Sequence, residues 1–139
     1  MNVPRLFRIT SLFVFLQIAL GGVVTFGLDP FKVGSFDPVL LAHIANGIIV
    51  FGLVVVVAVS AVASKPKHNG LNQVSLAMVV FVVVQLALGT TLVAVIDAGV
   101  LAWIHLLLAV IIYAMTLVGR SFAMMRDQAA GIGVPTQTK

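Results

Sequence analysis

The stretch Val39–Ala63 reads VLLAHIANGIIVFGLVVVVAVSAVA. Its run Val54-Val55-Val56-Val57 would favour a strand in water, because β-branched side chains pack well on a pleated surface. The length and the absence of Asp and Glu argue otherwise. A helix needs roughly 20 apolar residues to cross a hydrocarbon core, and this stretch supplies them. Lipid offers no partner to backbone N–H and C=O groups, so a spanning segment satisfies them internally, as a helix. The same reading applies to three further stretches, from about Leu6 to Leu28, Val74 to Ile96 and Val100 to Met124.

Composition agrees. Of 139 residues, 61% are hydrophobic and 9% charged. A soluble domain carries roughly 25% charged residues. A water-soluble fold is therefore excluded. The expected architecture is an all-α membrane protein: a four-transmembrane-helix bundle over residues 1–127, with a short flexible tail at 128–139. Turn chemistry breaks the apolar stretches at Asp29-Pro30, Asp37-Pro38, Lys65–Gly70 and Asp97-Ala98-Gly99, with Gly34-Ser35 inside the first connection. Arg5 and Arg8 before the first stretch resemble the start of a signal peptide. That stretch is too long for one and no small-residue cleavage site follows it, so a retained helix is expected.

The net charge of +4 reflects topology and gives no sign of a nucleic-acid partner. Arg5, Arg8, Lys65, Lys67, Arg120, Arg126 and Lys139 flank one side of the bundle. Only Lys32 lies on the other, beside Asp29, Asp37 and Asp97. Lys and Arg concentrate in cytoplasmic loops, which places both termini in the cytoplasm. The expected setting is the lipid bilayer of a prokaryotic plasma membrane.

An internal repeat organises the chain. Leu16-Gln17-Ile18-Ala19-Leu20-Gly21-Gly22 matches Val84-Gln85-Leu86-Ala87-Leu88-Gly89-Thr90. His43 followed by Gly47 and Phe51 parallels His105 followed by Ala109 and Tyr113. Two repeated helix pairs are expected to pack with approximate two-fold symmetry about the membrane normal. That symmetry would set His43 and His105 on facing helices at matching depth.

An ionisable ring inside a membrane segment is costly and usually has a task. One such histidine is most often an interhelical hydrogen-bonder. Two at equivalent positions point to a shared cofactor, and the candidate reading is a pair of axial ligands to haem iron. His43 and His105 are the metal ligands in this reading, and Gly21 and Gly89 are cofactor contacts that let a ring edge approach the helices. Gly47 and Ala109 lie one turn from the histidines on the same face. Gln17 and Gln85 are suited to bonding a backbone carbonyl, a water or a polar cofactor edge. Zinc fits poorly, since it expects three or four protein ligands. Trp103 reads as an interfacial anchor, Phe51 and Tyr113 as packing residues, and His68 as solvated surface. No Asp or Glu lies within a membrane stretch, which argues against proton-coupled efflux and leaves no general base. No phosphate-binding loop or Ser-His-Asp set is present, and no catalytic residue is assigned. The lack of cysteine excludes disulfides, thiolate metal sites and thioether-attached haem.

These residues resemble the haem A synthase family, whose four-helix units carry histidines on their second and fourth helices. The resemblance rests on Gln17–Gly21, Gln85–Gly89, His43 at the start of the second helix and the His105–Ala109 segment, and it covers nearly the whole chain as one compact unit. It implies His43 and His105 as haem ligands near the outer side, and work on haem for cytochrome oxidase. The family's active unit carries Glu-x-x-His-Arg at the second helix, where this chain reads Leu40-Leu41-Ala42-His43-Ile44. The outer-loop cysteine pair of many members is also absent. These departures shift the expectation toward haem b held for electron transfer, in or beside a respiratory complex, with haem O or haem A as the other candidate groups. Two further classes stay open: a haem A synthase-type enzyme that oxidises haem O, and a haem-free structural subunit. Partners in all three would be respiratory or oxidase-assembly membrane subunits, or a second copy of the chain.

Overall fold

A computed structural model describes residues 2–27, 37–94 and 99–131. The expected turns at Asp29-Pro30, Gly34-Ser35 and Asp97-Ala98, together with Lys32 and the tail beyond residue 131, lie outside these residues. Four helices form: α1 (Val3–Gly22), α2 (Pro38–Ala63), α3 (Asn69–Ala94) and α4 (Gly99–Ala129). A wider π-helical turn at Val23–Gly27 extends α1. All four are long and apolar enough to cross a membrane.

Local chemistry sets the starts. The side chain of Asn2 accepts from the backbone N–H of Arg5 at 3.0 Å, with Pro4 in the first turn, so α1 begins three residues before Leu6. Asp37 caps α2, accepting from the N–H groups of Val39 at 2.8 Å and Leu40 at 3.2 Å, and Pro38 follows it. The segment Lys65–Gly70, expected to be a loop, is shorter than its Pro and Gly content indicates. His68 Nδ1 accepts from the N–H of Leu71 at 3.1 Å, and α3 starts at Asn69 instead of Val74. Gly70 lies inside this first turn because the Phe122 ring of α4 stands 3.3 Å from where a Cβ would be. His68 is therefore not the solvated surface residue expected: it is half-buried and stacks on Phe122 at a centroid distance of 5.3 Å. At the other terminus α4 continues past Met124 to Ala129, so Gln128 and Ala129 belong to the helix and not to the tail. Arg126, six per cent exposed, pairs there with Asp127 through Nε at 2.9 Å and through Nη2.

The helices pack in a ring, each against its sequence neighbours, and α1 against α4 closes it. Two diagonals result, α1 with α3 and α2 with α4, as a duplicated helix pair with two-fold symmetry requires. The two halves of the bundle differ along its axis. The fully buried apolar side chains come from the end that carries the chain termini and the α2–α3 connection: Phe7 and Val14, Val54 and Val57, Leu71 and Met78, among others. Thr10, Ser60, Ser75 and Thr116 are buried here too, each bonding a carbonyl of its own helix. Small residues of this kind allow close helix approach where lipid provides no hydrophobic drive between helices. The opposite half contributes fewer buried apolar side chains among the described residues, Val50, Ala109 and Ile112 toward the middle of the bundle. The outer faces are apolar throughout, with Leu12, Ile48, Val80 and Leu107 all more than 60% exposed. Such faces suit contact with lipid tails.

Candidate functional site

The less densely packed half holds the polar residues singled out in the sequence. His43 lies in the second turn of α2, and His105 in the second turn of α4. They face each other across the α2–α4 diagonal, with ring centroids 6.3 Å apart and planes inclined at 57°. Both rings are half-buried. Matching depth follows from the repeat, since each ring sits at the same place in its copy.

The other diagonal supplies the glycines. A Cβ on Gly21 of α1 would stand 3.0 Å from Cε1 of His43. A Cβ on Gly89 of α3 would stand 3.3 Å from Cε1 of His105. Each glycine therefore permits a histidine ring to lie against a helix backbone. Gly47 does something different: it is buried beneath the Gln17 amide, whose Nε2 lies 3.2 Å from its would-be Cβ. Ala109 is buried at the border of the packed core.

The two glutamines, equivalent in sequence, have different partners. Gln17 Nε2 reaches both ring nitrogens of His43, at 3.2 Å to Nδ1 and 3.1 Å to Nε2. Its Oε1 accepts from Asn46 Nδ2 at 2.6 Å, and the same Nδ2 donates to the backbone carbonyl of Phe13 at 3.0 Å. Gln85 Nε2 instead donates to the backbone carbonyl of His105 at 2.9 Å. Nδ1 of His105 is buried without a hydrogen-bond partner, and so is Oε1 of Gln85. Asn46, six per cent exposed, is the residue that sequence reasoning passed over. Its signal was available: an amide three residues after His43, on the same face of an otherwise apolar helix.

Two imidazoles with a metal between them have a characteristic spacing. A metal–nitrogen bond of about 2 Å on each side, plus about 1 Å from nitrogen to ring centre, separates the centroids by roughly 6 Å. The observed 6.3 Å is compatible with that spacing, and equally with two rings in direct contact. The orphaned Nδ1 of His105 also fits, because a buried polar atom without a partner carries a cost that a bound group would relieve. No cluster of three or more His, Cys, Asp or Glu occurs among the described residues, so a polydentate protein cage for zinc is not formed there. The remaining aromatic residues pack locally. Trp103 is 62% exposed and stacks on Phe26 at 5.5 Å, and Tyr113 lies 6.2 Å from Phe15. A shallow groove between α2 and α3, lined by Val55, Val59, Leu76 and Val79, is apolar and far along the bundle from the histidines. It offers no group for chemistry. No protein-family model matches this chain, and no curated protein or solved structure does either.

Proposed function

We propose that this chain is a membrane haem-binding protein in which His43 and His105 are the two axial ligands of one b-type haem. The observation that carries the reading is the 6.3 Å separation of two imidazoles placed on diagonally opposed helices. Three features support it further. Gly21 and Gly89 lie on the other diagonal, and each lets a histidine ring rest against the helix backbone and keep its place in the bundle. The half of the bundle around the histidines has fewer buried apolar side chains than the other half. His105 retains a buried ring nitrogen without a partner. Haem held between His43 and His105 would supply one-electron transfer.

The residues of the chain then divide the work. His43 and His105 would hold the group, Gly21 and Gly89 seat the two histidine rings, and the apolar outer faces hold the bundle in lipid. Leu40 and Ile44 flank His43 where the haem A synthase family has an acid and an arginine, so the protein would resemble the electron-transferring half of that family. The distribution of Lys and Arg supports an orientation with both termini on the cytoplasmic side and the histidines near the outer face. Redox partners would be membrane subunits of a respiratory or oxidase-assembly system.

A reduced-minus-oxidised visible spectrum of the protein purified in detergent tests this reading. The wild type gives a sharp α-band. His43→Ala and His105→Ala each lower haem content or raise the high-spin fraction. Wild-type protein without an α-band after expression with ample haem would refute the assignment, and so would single variants that retain a wild-type spectrum.

A further inference from the structure

We propose that the groove between α2 and α3 is a binding site for one anionic phospholipid, with an acyl chain lying in the groove and the phosphate held by Lys65 and Lys67 at its mouth. This site lies toward the other end of the bundle from the histidines and needs no haem.

The repeat shows why this side of the bundle is open. At the spacing that relates Gln17 to Gln85 and His43 to His105, Phe7 and Gly119 of the α1–α4 contact correspond to Ser75 and Val57 of the α2–α3 contact. On one side a phenylalanine ring fills the space between the helices. On the other a small hydroxyl turns back to the Leu71 carbonyl of its own helix, at 2.8 Å. The neighbours differ too, since Arg8 and Arg120 correspond to Leu76 and Ala58. The result is a groove of about 490 Å³, floored by Ala58 and walled by Val55, Val59, Val62, Leu76 and Val79. Sites for small ligands span roughly 300–1,000 Å³. Every side chain lining this one is apolar. Along α2 it runs from Val55 to Ala63, about 12 Å at 1.5 Å per residue. That is close to one leaflet of a hydrocarbon core roughly 30 Å thick.

Charge selects the lipid. The groove reaches the last residue of α2, and Lys65 and Lys67 follow directly, both exposed. Lys67 Nζ donates to the backbone carbonyl of Val62, a residue of the groove wall, so its ammonium is anchored at the mouth. An ammonium carries three hydrogens, which leaves two for a further acceptor. Among the described residues the one carboxylate at this end of the bundle is that of Asp127, and it pairs with Arg126. A zwitterionic headgroup brings its own cation to the lysines and offsets the attraction, whereas a headgroup of net negative charge does not. The same end of the bundle is the one proposed to face the cytoplasm, where the leaflet carries anionic lipid that attracts basic segments beside the membrane.

Native mass spectrometry of the full-length protein released from detergent micelles tests the site, with phosphatidylglycerol or phosphatidylcholine of matched acyl chains added in turn. The wild type should retain one phosphatidylglycerol more tightly than phosphatidylcholine. Lys65→Gln combined with Lys67→Gln should weaken phosphatidylglycerol binding by about 25-fold, roughly fivefold for each lysine, and leave phosphatidylcholine unchanged. Arg5→Gln combined with Arg8→Gln removes the same charge from α1 and should leave both lipids unchanged. Val59→Phe places a ring in the groove from an exposed position and should weaken both lipids. Val80→Phe, equally exposed on α3 but outside the groove, should weaken neither. Equal wild-type affinity for the two lipids would overturn the proposal. So would an equal loss from the arginine pair, undiminished binding in Val59→Phe, or a wild-type dimer that excludes the lipid, since a second copy would then be the occupant.

Discussion

Gly119→Ala is the sharpest test of how the packed half of the bundle is built. Phe7 of α1 is fully buried, and its ring sits directly on Gly119 of α4. A Cβ at residue 119 would stand 2.5 Å from Cζ of Phe7, 3.1 Å from Cδ1, and closest of all to Cε1. Carbon atoms pack best at about 3.5–4.0 Å, so ring or helix must give way by about 1 Å. A ring with no exposed surface has nowhere to turn, and α1 must move away from α4. Two effects compete. Glycine inside a helix costs about 1 kcal/mol relative to alanine, so propensity alone predicts stabilisation. Overpacking a filled interior costs about 1–3 kcal/mol, and a clash this deep belongs at the upper end. The balance is a net loss of about 2 kcal/mol. Phe7→Leu removes Cε1 and Cζ, the two closest atoms, and in that background Gly119→Ala should be neutral or stabilising by up to about 1 kcal/mol. The cycle therefore predicts a coupling of about 2–3 kcal/mol between the two sites. Unfolding of the four proteins by SDS in mixed micelles, followed by helical circular dichroism, measures each corner. If Gly119→Ala is as stable as wild type, or has the same effect with Phe7 and Leu at residue 7, the packing argument is wrong.

Two other expectations are tested as directly. Asp127→Asn strips a buried guanidinium of its partner and should cost about 3 kcal/mol, whereas Arg126→Met removes the buried charge itself and should cost less than half of that. The same SDS titration compares them, and equal losses would show that the pair behaves like an exposed one. Green fluorescent protein fused after residue 139 should fluoresce, and alkaline phosphatase fused there should be inactive, since both termini are proposed to face the cytoplasm. The opposite pattern would invert the topology.

Much of the architecture was legible before any coordinates. Segment length and the demand that backbone groups be satisfied in lipid identified four helices, despite valine runs that read as strands in water. The repeat placed His43 and His105 at equivalent depth, and the structure sets their rings 6.3 Å apart. The helix ends were less legible, because they depend on side chains meeting from different elements. Gly70 looks like a breaker until the Phe122 ring is seen to occupy the space beside it. Arg126 looks like one more charge at a membrane boundary until it is found buried against Asp127. The role of Gln17 was hidden for a similar reason. Its orientation is decided by the Phe13 carbonyl through Asn46, a chain of contacts that no spacing rule within one helix displays.

The repeat also explains why the site has two different halves. A duplication first gives two identical helix pairs, each with its glutamine, glycine and histidine. In such a symmetric arrangement the two histidines would have equal surroundings. A single difference in the α2 and α4 copies, Asn46 against Leu108, suffices to break that equality. An amide at this position captures the glutamine of the neighbouring helix and turns its N–H onto the ring. A leucine leaves the glutamine to find the nearest backbone carbonyl instead, which is that of His105. Variation in this half can thus rearrange the side chains around the two histidines, while the Phe7–Gly119 contact holds α1 against α4.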